Sequence, residues 1–169
     1  VFINEQTYKT TKNVSEFQNL FNQSFNQPPT NNVNWVDFNT ATKMQKESAT
    51  KKKILIQLYH ESNISSLMMI KGTYEDPNIA KYVNDNFIPV KINIQDTTSY
   101  IYNNNKFGVT NNFNQFALAL MDNKIQVPYL AIIDESGNLT MKIPQFFDPQ
   151  SLDGVLKYIN ASAYLEMSY

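Results

Sequence analysis

The sequence predicts an α/β sandwich with a short mixed sheet, and three observations carry that expectation. Ile54-Leu55-Ile56-Gln57-Leu58-Tyr59 is a short, nearly continuous apolar run, the pattern of a central strand covered on both faces. From Phe87 to Ile94 the chain alternates, with Ile88, Val90, Ile92 and Ile94 on one side, the pattern of a second strand. Pro128-Tyr129-Leu130-Ala131-Ile132-Ile133-Asp134 and Leu139-Thr140-Met141-Lys142-Ile143 flank Glu135-Ser136-Gly137-Asn138, whose composition turns a chain back on itself as a hairpin. A helical stretch separates the first two strands, so they pair in parallel through a right-handed crossover.

Taken in order, residues 1–34 read as an N-terminal extension and 35–169 as the domain. Phe17, Leu20, Phe21 and Phe25 fall on one helical face after Ser15, a candidate N-cap. Asn26 to Asn32, with Pro28-Pro29, has linker composition. Trp35 to Ala49 carries a helical pattern through Phe38, Ala41, Met44 and Gln45. The run Lys51-Lys52-Lys53 reads as a solvated approach to the first strand. Ser62 to Lys71 reads as a helix capped by Ser62 or Asn63, with Leu67, Met68 and Met69 in the core, Ile70 in its body and Gly72 ending it. Asp76 caps the next helix and Pro77 takes its first position, with Ile79, Ala80 and Val83 inward. Asp96 to Val109 reads as a polar, Asn-rich insertion and Asn112 to Met121 as a further helix. Asp148-Pro149 opens the last helix, whose inner face is Leu152, Val155, Leu156 and Ile159.

Composition narrows the function classes. The chain has 169 residues, 42% of them hydrophobic and 13% aromatic, enough for a core that needs neither disulfide nor metal. The net charge is -1 and every basic residue is a lysine. Nucleic acid is therefore not an expected partner: there is no basic patch, and no arginine to grip phosphate or guanine with a fork of donors. No run of about 18 apolar residues exists, so no transmembrane segment is expected. The chain begins at Val1 without a methionine. The expected location is periplasmic or secreted after removal of a signal, with the cytoplasm left open. The excess of Asn, Lys, Ile and Tyr without Arg points to an AT-rich genome.

No cofactor and no metal site is expected. Cysteine is absent and His60 is the only histidine, a poor set for zinc. His60 lies beside Ser62, Ser65 and Ser66, which resembles a serine nucleophile with its base. Neighbours at a strand end point apart, so a loop histidine in solvent is the expectation. Asp134-Glu135-Ser136-Gly137 lacks calcium-loop spacing.

The chain resembles the thioredoxin-like group related to the DUF255 and thioredoxin_7 domains, in the form seen in secreted Bacteroidetes-type proteins. The resemblance rests on Trp35 before a helix, on the Lys run and strand at Ile54, and above all on Gly72-Thr73-Tyr74-Glu75-Asp76-Pro77 through Tyr82-Val83-Asn84 to Phe87-Ile88-Pro89-Val90-Lys91. Lys106-Phe107-Gly108, Val127-Pro128-Tyr129 and Ile143-Pro144-Gln145-Phe146-Phe147-Asp148-Pro149-Gln150 continue it. It implies a thioredoxin-like three-layer α/β/α sandwich with a mixed central sheet. It also implies thiol–disulfide chemistry, which needs a thiolate that this chain does not have.

Anchored on Tyr59 and Thr73-Tyr74, the resemblance places the family's two cysteines at Asn63 and Ser66; a one-residue slip would place them at Ser62 and Ser65. Gln57 then stands where thioredoxins bury a proton-handling aspartate, and Ser62 replaces the aromatic before the first cysteine. Val127-Pro128 stands at the family's cis-proline loop. There the resemblance implies an extended peptide held by strand addition, with Val127, Pro128, Ile64 and Ser65 as the contact residues. The resulting expectation is a redox-inactive module, not an enzyme, that binds a protein or an extended peptide in a bacterial cell envelope. The alternatives are a peptide-binding chaperone and a non-redox enzyme built on His60 and its neighbouring serines.

Overall fold

In the computed structural model, which describes residues 32–165, the elements in chain order are α1 (Phe38–Glu47), β1 (Lys53–Tyr59), α2 (Ile64–Lys71), α3 (Pro77–Asn86), β2 (Phe87–Asn93), β3 (Tyr100–Tyr102), β4 (Asn105–Phe107), β5 (Val109–Thr110), β6 (Phe113–Asn114), α4 (Gln115–Leu120), β7 (Tyr129–Ile133), β8 (Leu139–Ile143) and α5 (Pro149–Asn160). The helix expected around Ser15 to Phe25 and nearly all of the linker after it lie outside the described residues. One 3-10 turn, Thr73–Glu75, joins α2 to α3, and another, Ala163–Leu165, follows α5.

The main sheet has the order β2-β1-β7-β8. β1 runs parallel to β2, from Lys53 opposite Phe87 to Tyr59 opposite Asn93. It runs antiparallel to β7, with Leu58 opposite Tyr129, and β7 pairs antiparallel with β8. Pro89 fits within β2 because β2 is an edge strand, where a missing N–H breaks no ladder. The outward Pro89 carbonyl instead accepts from the Val36 N–H at 3.0 Å.

Alternation splits the core into two layers. Ile54, Ile56 and Leu58 face α1 and α4 together with Ile88, Val90 and Ile92. Leu55 faces α2, α3 and α5 together with Met69, Ile79, Val83, Leu152, Leu156 and Ile159. Each such side chain contributes roughly 1.5–3 kcal/mol by leaving water. By the same alternation Gln57 points into the second layer, on the side of α2.

Caps set the helix starts. Asp37, Asn63, Asp76, Asn114 and Asp148 each accept first-turn N–H groups of α1, α2, α3, α4 and α5, which removes orphan donors at the helix ends. α2 therefore starts at Ile64, after Asn63, not at Ser62. It stops at Gly72, where a Cβ would lie 2.6 Å from the Met68 carbonyl oxygen. α5 begins on Asp148-Pro149 and buries Leu152, Leu156 and Ile159, with Val155 half-buried.

Several expectations are corrected. Met44 is 45% exposed because the buried stripe of α1 runs through Phe38, Ala41 and Gln45. In α2 only Ser66 and Met69 are buried; Leu67 is half-buried and Met68 is 55% exposed. Lys53 is not solvated: its ammonium is buried, paired with Glu135 at 2.7 Å and hydrogen-bonded to Ser162 Oγ at 2.9 Å. The polar, Asn-rich stretch from Asp96 carries the start of two small hairpins, β3–β4 and β5–β6. Asn103-Asn104 and Asn111-Asn112 hold positive φ at both central positions, the turn that matches strand twist. Tyr100 and Phe107 anchor the β3–β4 hairpin on Phe116, at ring distances of 5.8 and 5.4 Å. Because β6 takes Phe113–Asn114, α4 begins only at Gln115.

Candidate functional site

The last residues of β1 lead through a turn into α2, and this junction carries every position singled out at the start of the domain. Asn63 is the N-cap of α2: its Oδ1 accepts from Ser66 N–H at 2.8 Å. Its own N–H donates to the His60 carbonyl at 3.0 Å, which closes the turn. Asparagine is among the best N-cap residues, so Asn63 has a local structural role. Ile64 and Ser65 follow in the first turn and are exposed, Ile64 to 76%.

Ser66 is fully buried. Its Oγ has no hydrogen-bond partner, and it is the only such buried side-chain atom among the described residues. A buried hydroxyl without a partner costs about 1–3 kcal/mol. No base touches it, so it is not an activated nucleophile.

Gln57 is fully buried and fully satisfied. Its Nε2 donates to the Leu58 and Tyr129 carbonyls, both at 3.2 Å. Its Oε1 accepts from the Tyr74 hydroxyl at 2.7 Å. Tyr74 is held edge-on to Trp35 with ring centroids 5.0 Å apart, and burial pushes its phenol far above the ordinary range, so it acts only as a neutral donor. Tyr129 follows the Val127–Pro128 bond, which is cis. With Leu58 opposite Tyr129, Pro128 falls next to the end of β1. The Gln57 amide thus joins β1, the Thr73–Glu75 turn and the proline loop through neutral hydrogen bonds. Pro128 is buried and Val127 half-buried.

His60 and Ser62 are closer than the sequence reasoning allowed. Ser62 Oγ lies 3.0 Å from His60 Nδ1, and Ser62 N–H donates to the same nitrogen at 3.3 Å. Nε2 lies 2.9 Å from Gln95 Oε1. The chain leaves the strand and turns at Glu61-Ser62, so the rule that strand neighbours point apart no longer applies. Nδ1 accepts, which puts the ring proton on Nε2, donated to Gln95. Gln95 is absent from the sequence-level site; its only signal was its place just past the second strand. This row lacks the carboxylate that orients the histidine of a catalytic triad. Gln95 has no charge to hold an imidazolium, and the Ser62 N–H competes for the lone pair that would take the hydroxyl proton. Nearby, burial pushes the Tyr59 phenol up, with Glu61 and Asp96 adding to it. Among the described residues no group of three His, Cys, Asp or Glu side chains could hold a metal. No helix among them is long and apolar enough to cross a membrane.

A four-stranded mixed sheet between helices, with a helix starting at the end of β1 opposite a proline loop, defines the thioredoxin fold. The Thioredox_DsbH family model, described as protein of unknown function, DUF255, matches residues 17–105, more than half of the chain. The chain belongs to this family. A DsbH oxidoreductase superposes with a TM-score of 0.56 at 13% identity, covering 90% of this chain and 96% of that one. A thioredoxin-fold protein from Helicobacter pylori superposes at 0.56 with 16% identity over 70% of this chain and 74% of that one. A proposed disulphide-isomerase from Bacteroides thetaiotaomicron gives 0.53 at 16% identity over 78% and 94%. At such identities these structures show the fold alone. A search among curated proteins gives no match. The chain's departure lies in its side chains: with no cysteine it offers no thiolate, and its own groups cannot carry out thiol–disulfide exchange.

Proposed function

We propose that this chain is a redox-inactive thioredoxin-like module of the bacterial cell envelope that binds a protein partner through the face at the start of α2. Asn63, Ser66, Gln57 and Ser62 are read as the replaced positions of a redox site, and Ile64, Ser65 and Val127 as the contact surface beside the buried Pro128. The observation that carries the reading is the exposure of Ile64 and Met68, at 76% and 55%, on one short helix whose start is otherwise rigidly capped. They lie four apart and so share a helix face. Large apolar groups grouped at the surface favour a protein contact, and methionine adapts to varied partners. The envelope location rests on the solved disulfide-handling proteins that share the fold.

Affinity purification from native extract tests this. The wild-type chain is expected to retain one partner in fixed stoichiometry, and Ile64→Asp with Met68→Asp to lose it while melting within about 0.5 kcal/mol of wild type, as surface changes do. Retention of the partner by the double variant would sink the assignment of this face. Recovery of many peptides in place of one partner would favour the chaperone alternative. An insulin-reduction assay is expected to stay at background.

A further inference from the structure

A cavity of about 310 Å³ lies where α1 ends, β1 and β2 begin and α3 ends, within the range of small-ligand sites, roughly 300–1,000 Å³. It is at the opposite end of β1 from α2; seven strand residues put the two on the order of 20 Å apart. Its apolar wall is Val36, Ile88 and Pro89, with Phe87 beside them. Met44 also lines it, which gives a reason for a methionine that α1 leaves 45% exposed. A long flexible side chain at the mouth of a cavity can fold over an occupant.

Lys52 is the only charged residue in the lining. Its Nζ donates to the Asn84 carbonyl at 3.2 Å, and it makes no ion pair with any described residue, unlike Lys53, Lys81, Lys142 and Lys157. Ser48 and Thr50 add hydroxyls to the same rim. An ammonium with donor capacity left over, no acid paired with it among the described residues and an apolar wall together point to one ligand class.

We propose that this cavity binds a small amphiphilic carboxylate, its apolar body against Val36, Ile88 and Pro89 and its carboxylate on Lys52. A charge-assisted hydrogen bond fixes the head, and burial of the tail supplies the remaining affinity. The site is separate from the partner-binding face and does not depend on it.

The experiment is a titration of the full chain with sodium decanoate below its micelle concentration. It is read by calorimetry and in parallel by the emission of Trp35, the single tryptophan, which is next in sequence to the lining residues Asn34 and Val36 while its ring packs on Tyr74. One saturable site is expected. Lys52→Met should weaken decanoate by about tenfold or more, the loss of one charged contact, while Lys52→Arg retains it. Decan-1-ol, which has the tail without the charge, should bind wild type and Lys52→Met alike. No saturable binding of decanoate by either readout would overturn the site. Equal affinity for decanoate in wild type and Lys52→Met would overturn the role of the cation, and with it the ligand class.

Discussion

The two ends of β1 bury polar groups by opposite means. At its start Lys53 is a charge, 3% exposed, held against Glu135, which is 45% exposed and keeps part of its water shell. Four residues later Gln57 is neutral, enclosed, and bonded to the Tyr74 hydroxyl and two carbonyls. The charged end needs a half-solvated partner because a fully dry ion pair gains little over its desolvation. The neutral end needs no solvent, but every donor and acceptor must be matched. Where the resemblance implies a titrating carboxylate and two thiols, this chain has a closed set of neutral bonds. These bonds tie the proline loop to β1 and to the Thr73–Glu75 turn.

Introducing a charge at the neutral end should have the largest effect. In Gln57→Asp the carboxylate would keep at most the Tyr74 donor and would lose both amide bonds to the Tyr129 and Leu58 carbonyls. Burial raises its folded-state pKa above the unfolded value of about 3.9. The penalty is therefore small below about pH 4, grows as pH rises, and is complete above the folded-state pKa, at roughly 4 kcal/mol for a shift of about three units. Urea melts at pH 4 and pH 7 check this; equal losses at both would contradict it. Asn63→Cys with Ser66→Cys should give weak insulin reduction, and adding Gln57→Asp should raise that activity while lowering stability. Full activity in the double cysteine variant alone would mean the site is intact apart from its sulfurs.

Next in size is the Tyr74–Gln57 bond. Tyr74→Phe strands Gln57 Oε1 and should cost about 1–3 kcal/mol. Combined with Gln57→Leu the loss should fall short of the sum of the single losses, because the two groups share one interaction. Strict additivity in denaturant melts would dissolve the network.

The charged end should respond asymmetrically. Glu135→Ala leaves a buried ammonium with only Ser162 and should cost about 1–2 kcal/mol, moderated because Glu135 is partly solvated. Lys53→Met leaves the carboxylate free to hydrate and should cost less than about 1 kcal/mol. The reverse order in paired melts would show that the lysine, not its partner, sets the stability of this end.

Smaller still, Ser66→Ala should stabilise the chain by about 1 kcal/mol, since it removes a buried hydroxyl with no partner; a fall in Tm would mean that the hydroxyl is satisfied in solution. The smallest effect lies just past the neutral end. Burial pushes the Asp96 carboxyl up, but hydrogen bonds from Tyr100 and Thr98 outweigh it and the net shift is downward. Its contribution is present above the ordinary value near 3.8 and is lost as pH falls through the folded-state pKa. Asp96→Asn should therefore cost under about 1 kcal/mol at pH 7, discounted for exposure, and nothing near pH 2. An equal cost at both pH values would assign the effect to packing.

The elements with a strong period or a clear cap were legible in the sequence. β1, β2, α3 and α5 stand where the apolar pattern, Asp76-Pro77 and Asp148-Pro149 put them. The two small hairpins were not legible, because their signal is Asn-Asn rather than Asn-Gly and their anchors are single aromatics such as Tyr100. Lys53 was misread because a charge run carries no mark of the distant Glu135 that buries one member. At the candidate site the burial of Gln57 followed from the strand pattern. Its link to Tyr74, and the meeting of Ser62 with His60 and Gln95, needed the fold, since they depend on turns that composition does not specify.

The left-handed turns say something about how this protein is encoded. Among the described residues, five of the seven non-glycine positions with positive φ are asparagines, at 103, 104, 111, 112 and 123, in a chain with only four glycines. Glycine codons begin with two guanines, whereas asparagine codons begin with two adenines. Asparagine is the side chain that best tolerates this backbone region apart from glycine. A gene rich in A and T can therefore reverse its chain tightly without guanine, and hairpin geometry survives a drift in nucleotide composition that would otherwise erase its usual signature.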